Sequence, residues 1–166
     1  MPRIVLVTGG FDPVHSGHIE YINAARALGD VLFIGLNSDD WLIRKKGKPF
    51  MPWNERHIIL SNLRSVYDVF AFDDSDNTAI DAIRRIREEN PEHTIIFANG
   101  GDRTKENIPE MECGLEDVEF VFGVGGTEKL NSSSWILKKW NGSPKKKVLA
   151  RKSPSSSGGG GGNGGE

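Results

Sequence analysis

Two histidines three residues apart, His15 and His18, stand in a glycine-rich stretch: Thr8-Gly9-Gly10-Phe11-Asp12-Pro13-Val14-His15-Ser16-Gly17-His18. The apolar run Ile4-Val5-Leu6-Val7 lies just before it. An apolar run ended by two glycines predicts a buried strand that turns into a helix. Gly9 and Gly10 allow the backbone to approach a ligand closely. The first N–H groups of the helix and its positive dipole end favour phosphate. Residues three apart share a helix face, so both imidazoles would point the same way, with Gly17 between them leaving room for a ligand. Such a pair can donate hydrogen bonds to a phosphoryl group as it gains charge. Either histidine alone could be an ordinary half-buried residue, but two of the four in the chain fall in this one turn. Within residues 1–140 neither G-x-G-x-x-G nor G-x-x-x-x-G-K-[ST] occurs. Gly123-Val124-Gly125-Gly126 comes nearest and lacks the last glycine.

The elements that must position this turn follow from the hydrophobic pattern. Val31-Leu32-Phe33-Ile34-Gly35-Leu36, Asp68-Val69-Phe70-Ala71-Phe72, Thr94-Ile95-Ile96-Phe97-Ala98 and Val118 to Phe122 read as four more short strands. Helices are expected over Ile19–Leu28, from Trp41 behind the capping cluster Asn37-Ser38-Asp39-Asp40, over Trp53–Leu63, over Thr78–Glu89 and over Ser132–Trp140. Strand and helix alternate, which predicts an α/β fold: a Rossmann-like five-stranded parallel sheet with helices on both faces. Ligands in such folds bind beyond the C-terminal ends of the strands, so the loops after Val7, Leu36, Phe72, Ala98 and Phe122 are where chemistry is expected.

Composition narrows the function. The net charge of −2 averages two unlike segments. Residues 1–137 hold 14 basic and 22 acidic residues, and residues 138–166 hold 7 basic and one acidic. An acidic body argues against a nucleic-acid partner, which needs clustered Lys and Arg. One cysteine, Cys113, cannot build a disulfide framework. No apolar run approaches a membrane span, and the apolar run at the start is too short for a signal peptide. A soluble, reducing, cytoplasmic setting is therefore expected. Eight of the 20 glycines follow Trp140, and the only ordinary apolar residues after it are Val148, Leu149 and Ala150. The reading is one folded domain over 1–140 and a disordered, basic, Gly/Ser-rich tail over 141–166.

Gly10-Phe11-Asp12 followed by His15-Ser16-Gly17-His18 resembles the signature of the nucleotidyltransferase superfamily with the HxGH motif, the cytidylyltransferase-like group. Asn37-Ser38-Asp39 and then Arg44-Lys45-Lys46-Gly47 resemble the heptose and glycerol-phosphate branches of that group. So do Asn54-Glu55-Arg56, Phe72-Asp73-Asp74-Ser75-Asp76, Asn99-Gly100-Gly101-Asp102 and Asn131-Ser132-Ser133-Ser134-Trp135-Ile136. The resemblance runs in order over about residues 3 to 138 and is nearest to the nucleotidyltransferase domain of ADP-heptose synthase and to glycerol-3-phosphate cytidylyltransferase. Two positions differ: Asn99 stands where the heptose branch has Lys, and Gly126-Thr127-Glu128-Lys129 has no Arg where the glycerol-phosphate branch has one.

The resemblance implies attack by a phosphorylated substrate on the α-phosphorus of CTP or ATP, with pyrophosphate leaving and no protein nucleophile. It implies catalytic roles for His15, His18, Lys45 or Lys46, and Arg56. Gly9, Gly10, Phe11, Asp12, Gly17, Gly100, Asp102, Ser132, Ser133 and Ser134 would line the nucleotide. Mg²⁺ is expected with the triphosphate, with no dedicated protein metal site, and the family implies a homodimer. A sugar phosphate or polyol phosphate is the expected acceptor. Transfer to nicotinate mononucleotide or pantetheine phosphate is a second reading, and a nucleotide-binding module without turnover is a third.

Overall fold

The computed structural model describes residues 2–100, 108–126 and 132–141. The chain divides into two compact units, 1–131 and 132–166. The first carries β1 (Arg3–Gly9), α1 (Ser16–Arg26), β2 (Val31–Leu36), α2 (Asp39–Lys46), α3 (Trp53–Ser61), β3 (Asp68–Ala71), α4 (Ile80–Glu89), β4 (Thr94–Ala98), a 3-10 turn (Pro109–Glu112) and β5 (Val118–Val121). All five expected strands are present. They form one parallel sheet in the order β3-β2-β1-β4-β5.

The register explains why the strands read as continuous apolar runs. Val5 pairs with Leu32 and Ile96, and Val7 with Ile34, so these residues share a face. That face packs on Ile22 and Ala25 of α1 and Leu60 of α3. Ile4, Leu6, Ile95 and Phe97 point the other way, onto Ala82, Ile83 and Ile86 of α4. Both faces of each central strand are therefore apolar, as burial on two sides requires. The chain winds outward from β1 through β2 to β3, then returns to lay β4 on the opposite side of β1. This reversal puts the crevice between the C-terminal ends of β1 and β4. The turn with the two histidines leaves β1 at that point.

Three helix starts in the first unit differ from expectation. That of α2 is at Asp39, not Trp41, behind its cap Ser38. The first helix begins at Ser16, not Ile19, because a histidine caps it. The fourth begins at Ile80, not Thr78: Asn77 has a positive φ of 65°, and Thr78 folds back on the Asp76 carboxylate. The stretch before Cys113 is a 3-10 turn, whose Glu110 is buried and accepts the Ala79 N–H at the head of α4. In the second unit, residues 133–141 are helical, and Ser132 caps that helix through the Trp135 N–H at 3.0 Å. Residues of the expected tail beyond 141 lie outside the described residues. No helix among the described residues is long and apolar enough to cross a membrane.

Candidate active site

His15 is the N-cap of α1, with extended backbone (φ −144°, ψ 178°). Its Nδ1 accepts the N–H groups of Gly17 at 3.1 Å and His18 at 3.4 Å. An imidazole nitrogen thus does what a Ser, Thr, Asp or Asn oxygen usually does at a helix start. His18 reciprocates, its Nδ1 accepting the His15 N–H at 3.3 Å. The rings stack with centroids 3.8 Å apart and planes 21° off parallel. The Phe11 ring meets His18 edge-on at 4.9 Å.

This geometry selects one tautomer. A ring nitrogen that accepts a peptide N–H carries no proton, so each neutral ring is protonated at Nε2. Burial, reinforced by the adjacent His15 imidazole, pushes His18 down from 6.5 to about 3. His18 is therefore a neutral Nε2–H donor at physiological pH. Its imidazole signals are expected to show no titration between pH 8 and 4.5 by NMR, and a midpoint near 6.5 would contradict this. The stability consequence has a definite sign. Between pH 6.5 and about 3 the unfolded chain takes up a proton that the folded chain refuses. The contribution of this site is fully present above 6.5 and is lost progressively as pH falls toward 3.

The rest of the loop is held from beneath. Gly10 needs to be glycine for space: a Cβ there would lie 2.9 Å from Leu42 Cδ2 and 3.3 Å from the Trp41 ring. Gly9 closes β1, its carbonyl accepts the Asn37 N–H at 2.9 Å, and the Phe11 ring packs against it. Phe11 is buried, with a positive φ of 50° that turns the chain under His18. Asp12 is also buried. Its carboxylate accepts the Phe50 N–H at 2.6 Å, the Met51 N–H at 2.7 Å and the Lys46 ammonium at 2.9 Å.

The structure separates Lys45 from Lys46. Lys46 reaches the histidine loop, where its Nζ also donates to the Asp12 carbonyl at 2.6 Å. Lys45 lies over the Trp41 ring, 4.7 Å from its centroid. Arg56 stands apart from an ordinary helix-surface arginine. It is fully buried, donating Nε to the Met51 carbonyl, Nη1 to the carbonyls of Gly10 and Asn37 (all 2.9 Å), and Nη2 to Asp39 at 2.6 Å. It ties together the loop after β1, the loop after β2 and the segment before α3.

Gly100 follows β4, and a Cβ there would meet Tyr21 of α1 at 3.9 Å. The Tyr21 hydroxyl donates to the Ala98 carbonyl at 2.6 Å, joining α1 to the end of β4 across the crevice. Asn99 is buried, and its carbonyl accepts the Val124 N–H at 3.0 Å, which draws the loop after β5 to the same edge. Ser132, Ser133 and Ser134 open the helix of the second unit. Asp102 and Lys129 lie outside the described residues. No group of three or more His, Cys, Asp or Glu placed to hold a metal occurs among the described residues.

One supporting residue has no role in the sequence reading. Asp74, buried after β3, accepts from the Asn37 amide at 3.0 Å, the Ser38 N–H at 2.8 Å and the Ser38 hydroxyl at 2.7 Å. It fixes the loop after β2 on which Arg56 also pulls. Its signal in the sequence is an acidic residue just past a strand's C-terminal end.

Comparison with known proteins bears on the family and the fold. A family model described as cytidylyltransferase-like matches residues 6–134. The bifunctional protein HldE of Wolinella succinogenes is 32% identical over 145 residues, covering 85% of this chain and 27% of that protein. HldE of Pelobacter propionicus is 34% identical, covering 84% of this chain and 28% of its own length. The chain thus spans about a quarter of the length of these curated relatives. Among solved structures, the lipopolysaccharide core biosynthesis protein of Thermoplasma volcanium superposes with a TM-score of 0.60 at 23% identity, over 79% of this chain and all of that one. A putative nicotinate-nucleotide adenylyltransferase of Vibrio parahaemolyticus gives 0.58 at 15% identity, over 91% of this chain and all of that one. At these identities the two structures speak for the fold.

Proposed function

Because this chain belongs to the cytidylyltransferase-like family of nucleotidyltransferases, we propose that it transfers a nucleoside monophosphate group from CTP or ATP to a small phosphorylated metabolite, with a sugar phosphate preferred. The observation that carries this is the stacked pair His15 and His18 at the head of α1, both fixed as Nε2–H donors at the crevice of the sheet. The acceptor's phosphate oxygen attacks the α-phosphorus, the bond to the β-phosphate oxygen breaks, and pyrophosphate leaves. Charge builds on the α-phosphoryl oxygens and on the leaving group. Donors held in place by the backbone suit that demand, since they need no reorganisation as charge develops. Lys46 is assigned to the phosphates and Arg56 to positioning the loops. Gly9, Gly10, Phe11 and Gly17 shape the turn around the triphosphate, and Gly100 with Asp102 is assigned to the base and ribose. On the resemblance alone, Ser132 to Ser134 are assigned to the β- and γ-phosphates, and Lys46 rather than Lys45 takes the lysine role.

Mg²⁺ enters as part of the substrate, because it keeps water and phosphate ligands more readily than it fills an all-protein cage. The preference for a sugar phosphate rests on the HldE relatives and on the resemblance of the stretch from Asn37 to Gly47 to the heptose branch. A homodimer and a cytoplasmic setting remain part of the proposal. The test is pyrophosphate release with each nucleoside triphosphate across sugar phosphates, polyol phosphates, nicotinate mononucleotide and pantetheine phosphate. Release with ATP or CTP and a sugar phosphate is the expected result. Release only with nicotinate mononucleotide or pantetheine phosphate would move the acceptor assignment. No release with any pair would sink the proposal and favour a binding module.

A further inference from the structure

The loop that carries the histidines and the segment that carries Lys46 meet at one carboxylate. The Asp12 side chain is 1% exposed, and three donors converge on it: the Phe50 N–H, the Met51 N–H and the Lys46 ammonium. Lys46 spends a second N–H on the Asp12 main-chain carbonyl. An ammonium has three N–H donors, so one remains for a ligand. The Lys46 side chain keeps 26% of its surface exposed. The chain arrives here through Gly47, whose φ of 96° ends α2 and turns residues 48–51 back toward Asp12.

A carboxylate beside a phosphate-binding lysine would ordinarily repel a triphosphate. Here its charge is buried and shared with two peptide N–H groups as well as the ammonium. What the contact supplies is order. A lysine side chain gives up much rotamer freedom on binding, and Lys46 has given it up before a ligand arrives.

We infer that Asp12 is a positioning residue, not a nucleotide contact: it holds Lys46 with one N–H presented to the triphosphate. This rests on the proposed function above and assigns a role within that site. The inference and its rival differ in sign. If Asp12 positions Lys46, Asp12→Asn weakens triphosphate binding by about tenfold, the cost of reordering one long side chain on binding. If Asp12 merely neutralises Lys46, removing its charge tightens binding.

The experiment is calorimetric titration of the full chain with Mg·ATP, Mg·CTP and inorganic tripolyphosphate. The proteins are wild type, Asp12→Asn, Lys46→Met and the double variant, each checked by thermal melt. The expected result is weaker binding by Asp12→Asn and no further loss when Asp12→Asn is added to Lys46→Met. Because Asp12→Asn loosens the 50–51 segment and could hinder folding, Lys46→Arg is the second probe. Its planar fork keeps the charge but needs its acceptors in a different arrangement from those that hold the ammonium, so it is expected to bind as weakly as Asp12→Asn. Unchanged or tighter binding by Asp12→Asn, additive losses, or wild-type affinity in Lys46→Arg would overturn the inference alone. No binding of any probe by the wild type would overturn the nucleotidyltransferase reading itself.

Discussion

His18→Ala is expected to fold as the wild type does and to lose about 10²- to 10³-fold in turnover, the usual cost of removing one fixed donor to a developing oxyanion. The fold survives because His18 does little for it. Its Nδ1 accepts one N–H, that of His15, and a lost bond of this kind costs about 1 kcal/mol. The desolvation that depresses its protonation is relieved by the same change. KM should move little while kcat falls, the pattern of an interaction made only in the transition state. His15→Ala supplies the contrast. It removes a comparable donor and also the cap of α1, which accepts two N–H groups, so it should lose turnover and about 2 kcal/mol of stability together. The checks are steady-state pyrophosphate release and thermal melts on both variants. Near-wild-type turnover in His18→Ala would place the chemistry elsewhere.

Arg56→Ala is expected to cost about 3–5 kcal/mol of folding stability, the range for removing one partner of a buried charged network. The guanidinium is 0% exposed and makes four hydrogen bonds. Deleting it strands the carbonyls of Gly10, Asn37 and Met51 and leaves a cavity under the histidine loop. A domain of this size has only about 5–15 kcal/mol in total, so the melting temperature should fall by about 10–20 °C. Arg56→Lys tests the geometry separately from the charge. Three donors on one nitrogen cannot reach partners spread around a planar fork, so an intermediate loss of about 1–3 kcal/mol is expected. Both are read by thermal or urea denaturation. A melt within a few degrees of wild type for Arg56→Ala would show that the loops do not depend on this residue.

The sequence alone determined the sheet and the location of its ligand edge. Strands buried on both faces must be apolar throughout, and a glycine pair must break them where the chain turns. That made β1 and its loop readable without any long-range information. The histidine pair was readable for a similar reason: its spacing is local, and the helix N-terminus that gives it meaning starts within the same few residues. Even so, the helix start was misplaced by three residues, because an imidazole cap is outside the usual capping set.

The tertiary structure decided the roles of the cations. Lys45 and Lys46 are neighbours in sequence and equivalent as charges. Only the return of residues 48–51 onto Asp12 places one at the histidine loop and the other over Trp41. Arg56 reads as a second catalytic cation at a helix start until the loops after β1 and β2 fold over it and claim its donors. Asp74 has meaning only once β3 lies beside β2. The dividing line is physical. Periodicity and local turns are carried by residues a few positions apart. Three of the four partners of the buried Arg56 charge lie 17 to 46 residues away, and no short pattern encodes them.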